Sequence, residues 1–444
     1  MKSKTILTIL LAALSIQGYA QSTEELIRAR VDAGETPGIA VATYKNGEVK
    51  YYAFGYADVA GGRKVDSKTL FEIGSVTKTF TTTMLAVLAE EGKISLSDEI
   101  QKYLPAEVTI PTRADKSITF LDLATAHSGL PRLPDNFNPA DNENPYIDYT
   151  EVSLFHFLSG YTLTRDIGSK YEYSNLGMGL AGVLVTKIDK RTYRESVTAR
   201  ILSPLKMSST FINTPGRTDK NSATGYSGKR AVKAWTWNDQ SCLQAAGGLL
   251  SNAEDMMRYL IANLNPSDNN LGKAMTNAQQ PKSDAGPRSK IALGWHLRNN
   301  IVWHNGGTGG FKSFVGFDPT KKVAVVVLTN SNTGADDLGF HLLDSTMAVK
   351  KLRMEAAVES KVLEQYPGTY EITPAFSIEV TLDKSQLAIQ ATGQPQIEIY
   401  PESDTKFFLK VVDAQIEFFK NAKGEVEKLV LYQGGQSQNA KKIK

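Results

Sequence analysis

Apolar and polar positions alternate first in two short runs, Gly38 to Tyr44 and Val49 to Gly55, which follow a brief helical stretch after Ser22. Between them stands Lys45-Asn46-Gly47, and Asn-Gly between alternating runs predicts a β-hairpin. The period then changes. From Ser75 to Glu91 the apolar residues Phe80, Met84, Leu85 and Leu88 recur at helical spacing, and Gly92 can take the left-handed conformation that ends a helix. Threonines crowd the start of this helix and are poor helix formers, so tertiary packing must hold it.

From Ser95 to Ala292 helical pieces are broken by Pro, Gly and Asn; the clearest are Phe120 to Ala126, Asn175 to Lys187 and Ala253 to Ala262. The stretch Pro131 to Asp148, rich in Pro, Asn and Asp, reads as a lid or rim. Strand periodicity returns at Gly294 to Leu297, Ile301 to His304, Phe311 to Phe317 and Val323 to Thr329, a meander. Opening strands, a helical middle and closing strands predict an α+β domain whose sheet is completed by both ends of the segment. A helical stretch from Asp336 to Leu363 then leads to short strands around Tyr370, Ile378 to Leu382, Gln386 to Ala391, Ile397 to Pro401, Lys406 to Lys410, Gln415 to Lys420 and Leu429 to Tyr432. Their even spacing predicts a small all-β barrel or sandwich. The expected division is residues 23–350, a helical linker at 351–362, and 363–444.

The first twenty residues stand apart. Lys2 and Lys4 precede the apolar run Ile6 to Ile16, and Gly18-Tyr19-Ala20 offers the small residues of a signal-peptide cleavage site, so export with cleavage after Ala20 is expected. The run is shorter than the ~20 residues a membrane-spanning helix needs, and no later stretch qualifies. Among 444 residues there is one cysteine, Cys242, which excludes an intrachain disulfide and, lying far from the cleavage point, a lipoprotein. Its expected place is the core. A net charge of +3 comes from basic residues interleaved with acidic ones, which argues against a nucleic-acid partner.

Three short motifs carry chemistry. In Ser75-Val76-Thr77-Lys78 a hydroxyl and an amine stand three apart at a helix start, where they share a face. A desolvated lysine has its pKa lowered enough to take the serine proton. Ser-x-x-Lys alone is common as an exposed helical pair, but Gly74 permits close approach and the helix N-terminus adds free N–H groups. Tyr173-Ser174-Asn175 precedes a predicted helix; the phenol can pass a proton and the amide can hold a carbonyl, although a tyrosine is more often a packing residue. His304-Asn305-Gly306-Gly307-Thr308-Gly309-Gly310 leaves a strand edge bare for a substrate backbone, with Gly307 able to offer an N–H to an oxyanion; a simple glycine-rich turn is the plainer reading.

In this order, together with His127-Ser128-Gly129-Leu130-Pro131 and Ala245-Ala246-Gly247-Gly248-Leu249, the motifs resemble those of the penicillin-recognising serine hydrolases. That family comprises class C beta-lactamases, D-Ala-D-Ala carboxypeptidases, D-aminopeptidases and related esterases. The resemblance covers roughly Gly38 to Ser331. It implies that Ser75 is acylated, that Lys78 and Tyr173 share proton transfer, that Asn175 binds the acyl-side amide, and that the N–H groups of Ser75 and Gly307 form the oxyanion hole. By the same resemblance His304, Gly306 and Gly307 bind substrate, and the C-terminal strands form an accessory domain. Where class C beta-lactamases carry Lys-Thr-Gly this chain has His304-Asn305-Gly306, as in the carboxypeptidase and aminopeptidase branches. A neutral imidazole holds a carboxylate less well than an ammonium.

The expected substrates are therefore small peptides or amides containing D-amino acids, with esters and beta-lactams as alternatives and a non-catalytic penicillin- or peptidoglycan-binding protein as a third reading. No cofactor is implied. His127, His156, His296 and His341 lack metal-ligand spacing and read as packing or surface residues. Of the four tryptophans, Trp295 and Trp303 flank the His304 strand and are the candidates for walling a pocket, ahead of Trp235 and Trp237.

Overall fold

The computed structural model describes residues 22–217, 219–287, 289–350 and 352–444. The expected signal peptide, residues 1–20, lies outside the described residues. A nine-stranded antiparallel sheet organises the first part of the chain, and its two ends meet within it. Gly38–Lys45 pairs on one side with Glu48–Asp58 and on the other with Val323–Thr329, where Ile39 lies opposite Thr329. The hairpin turn is as the Asn-Gly signal requires, with φ of 53° at Asn46 and 84° at Gly47. Lys312–Asp318, Ile301–Gly307 and His296–Arg298 continue the sheet toward its far edge.

Both faces are covered, and for this reason Val323–Thr329 is buried along its whole length and unbroken apolar from Val323 to Leu328. On one face Val41, Phe314, Val325 and Val327 pack with Ile27 and Leu338, which come from the flanking helices Thr23–Asp32 and Asp336–Leu343. The other face receives the helical middle, with Thr77–Glu90 as its central helix, buried from Thr77 to Leu88. Its threonines are tolerated because their hydroxyls find carbonyl partners. Thr81 donates to Ala245 O at 2.7 Å and Thr82 to Leu293 O at 2.8 Å, which ties the helix to two other segments.

The helices Phe120–Ala124, Asn175–Asp189 and Ala253–Leu264 stand where periodicity places them. Glu151–Gly160 and Asn270–Ala278 are additional helices that the periodicity did not single out.

The helical stretch expected from Asp336 to Leu363, with its linker at 351–362, needs correction. Helix occupies only Asp336–Leu343 and Ser360–Leu363, and residues 352–359 have no helical structure. Tertiary bonds account for this: Ala356 N–H donates to Pro401 O at 2.9 Å, Arg353 pairs with Asp413 at 2.7 Å, and Glu355 pairs with Lys410. These contacts hold the segment extended along the last domain.

That domain is a closed eight-stranded antiparallel barrel from Gly368–Thr373 to Gln436–Lys442. Tyr366, just before its first strand, enters the interior, stacks on Phe418 with ring centroids 4.1 Å apart, and donates its hydroxyl to Asp404 O. The final strand escapes the sequence pattern because only Ala440 in it is buried.

Candidate active site

Ser75 sits in a single 3₁₀ turn, Gly74–Val76, that runs directly into the helix Thr77–Glu90. Gly74 has φ +50°, and a Cβ there would lie 2.7 Å from Gly307 N, so the absence of a side chain lets the nucleophile turn touch the end of strand Ile301–Gly307. At Gly306 an added Cβ would meet Ile73 O at 2.0 Å. These two glycines set how closely Ser75 approaches the strand edge.

One helical turn on, the Lys78 amine lies 3.1 Å from Ser75 Oγ and donates to Ala246 O at 2.7 Å. Lys78 is only 3% exposed. Burial holds its pKa well below the ordinary lysine value, and the positive charge of Arg132 adds to the effect. A neutral amine at this distance can take a hydroxyl proton, whereas an ammonium cannot.

Tyr173 closes the other side, with the Lys78 amine 4.8 Å above its ring centroid. Burial pushes its phenol strongly upward, and the neighbouring Ser75 hydroxyl pulls it partly back, so the group remains a proton donor through the neutral range. Asn175 opens the helix Asn175–Asp189, capped by Ser174, whose hydroxyl accepts from Gly177 N–H at 2.8 Å. The Asn175 Oδ1 is buried without a hydrogen-bond partner, an acceptor facing a site.

Ser75, Asn175 and Gly307 line one cleft. His304 does not reach it, contrary to its expected substrate contact. Alternation along Ile301–Gly307 turns the imidazole inward, where it is 2% exposed, with Nδ1 against Asn305 O and its ring 5.2 Å from His296 and 6.3 Å from Tyr173. Burial first, then His296 and Lys78, holds its pKa well below the usual histidine range. Gly306 likewise packs against Ile73 rather than the open cleft.

The walls differ from those expected. Trp295 is fully buried beneath Tyr259 and Phe317, and Trp303 packs on Phe314 and Phe340 on the opposite sheet face. Trp235 and Trp237 line the cleft instead, with Tyr146 stacked on Trp237 at 5.7 Å. Arg132 and Tyr146, both from the Pro131–Asp148 loop, also line it and make that loop a rim.

Four contributors were not singled out in the sequence. They are Arg132, the Ala246 carbonyl, His296 with its pKa lowered to about 4 by burial and by Lys78, and Glu72. Glu72 is buried beneath the site, accepts from Trp235 N–H at 2.8 Å, and is pushed up to about 7 by burial. Only Ala246 carried a signal, through its Ala-Ala-Gly-Gly motif.

Cys242 is a free, buried thiol that donates to Tyr149 O. Among the described residues no three His, Cys, Asp or Glu side chains converge as metal ligands, and no helix is long and apolar enough to cross a membrane.

Residues 23–344 match the family model described as Beta-lactamase, and residues 352–442 match a domain of unknown function, DUF3471. A protein named Beta-lactamase from Escherichia coli K12 is 31% identical over 376 residues, covering 74% of this chain and 95% of that relative. Protein flp from Staphylococcus aureus strain N315 is 26% identical over 364 residues, covering 79% of this chain and 70% of its own. Among solved structures, the octameric penicillin-binding protein homologue from Pyrococcus abyssi superposes with a TM-score of 0.68 over 94% of this chain and 99% of that one, at 22% identity, a likeness of fold.

Proposed function

The chain belongs to the beta-lactamase family of serine hydrolases, and from that premise we propose that it cleaves amide bonds in small peptides containing D-amino acids through an acyl-enzyme on Ser75. The observation that carries this reading is the buried Lys78 amine 3.1 Å from Ser75 Oγ. In the proposed cycle Lys78 takes the Ser75 proton as Oγ attacks the carbonyl. The N–H groups of Ser75 and Gly307 hold the oxyanion, and each such donor is worth roughly 2.7–4 kcal/mol in the transition state. Tyr173, still protonated, gives its proton to the leaving nitrogen and regains one from the Lys78 ammonium beside it, and water then releases the acyl group.

Amides are favoured over penicillins because position 304 supplies no permanent cation. The carboxylate of a penicillin hangs on the ring that bears the leaving nitrogen, and His304, buried away from the cleft with its pKa held well below the usual histidine range, is not placed to hold it. An esterase or beta-lactamase using the same site is the alternative. Export belongs to the same reading, and N-terminal sequencing of the exported protein should find a mature chain that begins near Gln21.

Incubation with a fluorophosphonate or a slow beta-lactam, followed by mass spectrometry, should place one adduct on Ser75. Labelling that persists in Ser75→Ala would sink the assignment. Efficient nitrocefin hydrolysis alongside inert D-amino-acid amides and D-Ala-D-Ala peptides would replace peptidase with beta-lactamase.

A further inference from the structure

The cleft around Ser75 contains a single charged side chain, and it is basic. Of the groups that line it, Arg132 alone is ionised, the remainder being aromatic, apolar, hydroxyl, amide or glycine. Lys78 lies below and does not line the cleft, its pKa held well below the ordinary lysine value by burial, and Glu72 is sealed against Trp235 N–H.

Arg132 is also held in position. Its carbonyl accepts the N–H groups of Asn175 and Leu176 at 3.0 and 3.2 Å, which fixes its backbone to the start of the helix that carries Asn175. Its guanidinium carbon stands 5.1 Å from the Tyr173 ring centroid while the residue stays exposed. An arginine laid on an aromatic face keeps its N–H fork free for a planar anion. Nearby Arg165 is paired with Glu172 at 2.8 Å, but among the described residues Arg132 is in no ion pair. Lys312 does not compete for the role. It pairs with Gly307 in register, and its ammonium lies against Gly307 and acts on Asp336 on the face of Asn305, so it does not line the cleft.

The second observation is on the same wall. Asn175 Oδ1, buried and unpartnered, lines the cleft beside Arg132 and asks for an N–H. A group that offers an amide N–H to Asn175 and an anion to Arg132 fits both at once.

We propose that Arg132 binds an anionic group on the side of the substrate whose amide meets Asn175, which the family resemblance makes the acyl side, so that the site takes N-acylated, carboxylate-bearing D-amino-acid derivatives and discriminates against those with a free ammonium there. This rests on the Ser75 acyl-enzyme reading. It separates the enzyme from an aminopeptidase, whose substrate ammonium would face a lone guanidinium with no acid lining the cleft to receive it.

The test uses the full chain and three D-alanine thioesters whose nitrogen carries a succinyl group, an acetyl group or nothing. Wild type should favour succinyl over acetyl by about tenfold or more in kcat/KM, mainly through KM, as a charge-assisted hydrogen bond does, with the free amine slowest. Arg132→Gln should level succinyl and acetyl, Arg132→Lys should restore part of the gap, and salt should narrow it in wild type and Arg132→Lys but not in Arg132→Gln. A wild type that shows no succinyl preference, or a preference unchanged in Arg132→Gln, overturns the inference. Wild type should be labelled at Ser75 by a neutral fluorophosphonate. Absence of that label from wild type overturns the acyl-enzyme reading itself, and the Arg132 assignment with it.

Discussion

The sheet-and-helix domain and the barrel bury different things. Up to Ser331 the interior holds many polar side chains: Lys78, Glu72, His304, Asn175 and the hydroxyls of Thr77, Thr79 and Thr81 to Thr83 stand around Ser75 and its helix, and others such as Arg30, Asp255 and Asn263 lie elsewhere in the domain. Beyond Ser331, among the described residues, the buried side chains are apolar or belong to Tyr366 and Tyr370. An unpaired polar group in the interior costs roughly 1–3 kcal/mol, and a charge more. The first domain offsets that cost by hydrogen-bonding most of these groups, as it does the threonine hydroxyls of the central helix, and the barrel avoids it. The proposed chemistry draws on the buried polar groups beside Ser75, and we propose that the barrel folds without serving acyl transfer.

The strongest way to break this contrast is to remove its central member. Lys78→Met should lower kcat/KM by about 10²–10⁴, the usual worth of a general base, while leaving Ser75 in place. It should also change stability in a way that no surface lysine would. A lysine whose folded pKa is depressed binds fewer protons folded than unfolded, so wild-type stability rises with pH from that lowered pKa up to the ordinary 10.5. Denaturant midpoints between pH 7 and 9.5 should show the slope in wild type and a flatter line in Lys78→Met. Equal slopes would mean that Lys78 is charged in the native site.

A smaller effect, opposite in sign, belongs to Glu72. Its folded pKa of about 7 lies above the ordinary 4.5, so the stability it contributes is fully present below 4.5 and is lost as pH rises through 7. Glu72→Gln keeps an acceptor for Trp235 N–H and cannot ionise. Its unfolding free energy should fall less than that of wild type between pH 5 and pH 8, by an amount on the order of 2–3 kcal/mol. Parallel pH curves for the two proteins would show that the carboxyl is solvated after all.

What was legible in the sequence follows the same division. Ser75 and Lys78 were readable because a helix fixes the geometry of residues three apart, and the hairpin because Asn46-Gly47 admits one turn type. Tyr173, Asn175 and Gly307 came from motif order and do meet at the nucleophile. Arg132 and Glu72 were invisible, since each acts through packing between segments with no periodic signature. His304 and Trp303 were misplaced because proximity in sequence to a site strand does not say which face a side chain takes; alternation sends one inward and the other to the opposite side. Gln436–Lys442 was missed as a strand because barrel closure, not apolar alternation, puts it in the sheet.

The least disruptive change should be removal of the barrel itself. The segment after 351 belongs to the barrel by its bonds, through Arg353 with Asp413, Glu355 with Lys410, and Ala356 N–H with Pro401 O. Val358, Val362 and Leu363 pack into the barrel core as well, so a cut at Leu363 would strand apolar residues, whereas a cut after Lys350 would not. Lys350 closes the first domain instead, with its ammonium 2.9 Å from Glu35 and its N–H on Asp337. The two apolar cores are separate, and none of the residues placed around Ser75 lies beyond Asp336. A chain ending at Lys350 should therefore fold and be labelled at Ser75 at the full-length rate, within the roughly 0.5 kcal/mol that independent sites allow. Size-exclusion chromatography with circular dichroism establishes the fold, and intact mass the labelling. A folded truncation that no longer reacts would mean that the barrel shapes the cleft, and the division drawn from polar burial would be wrong.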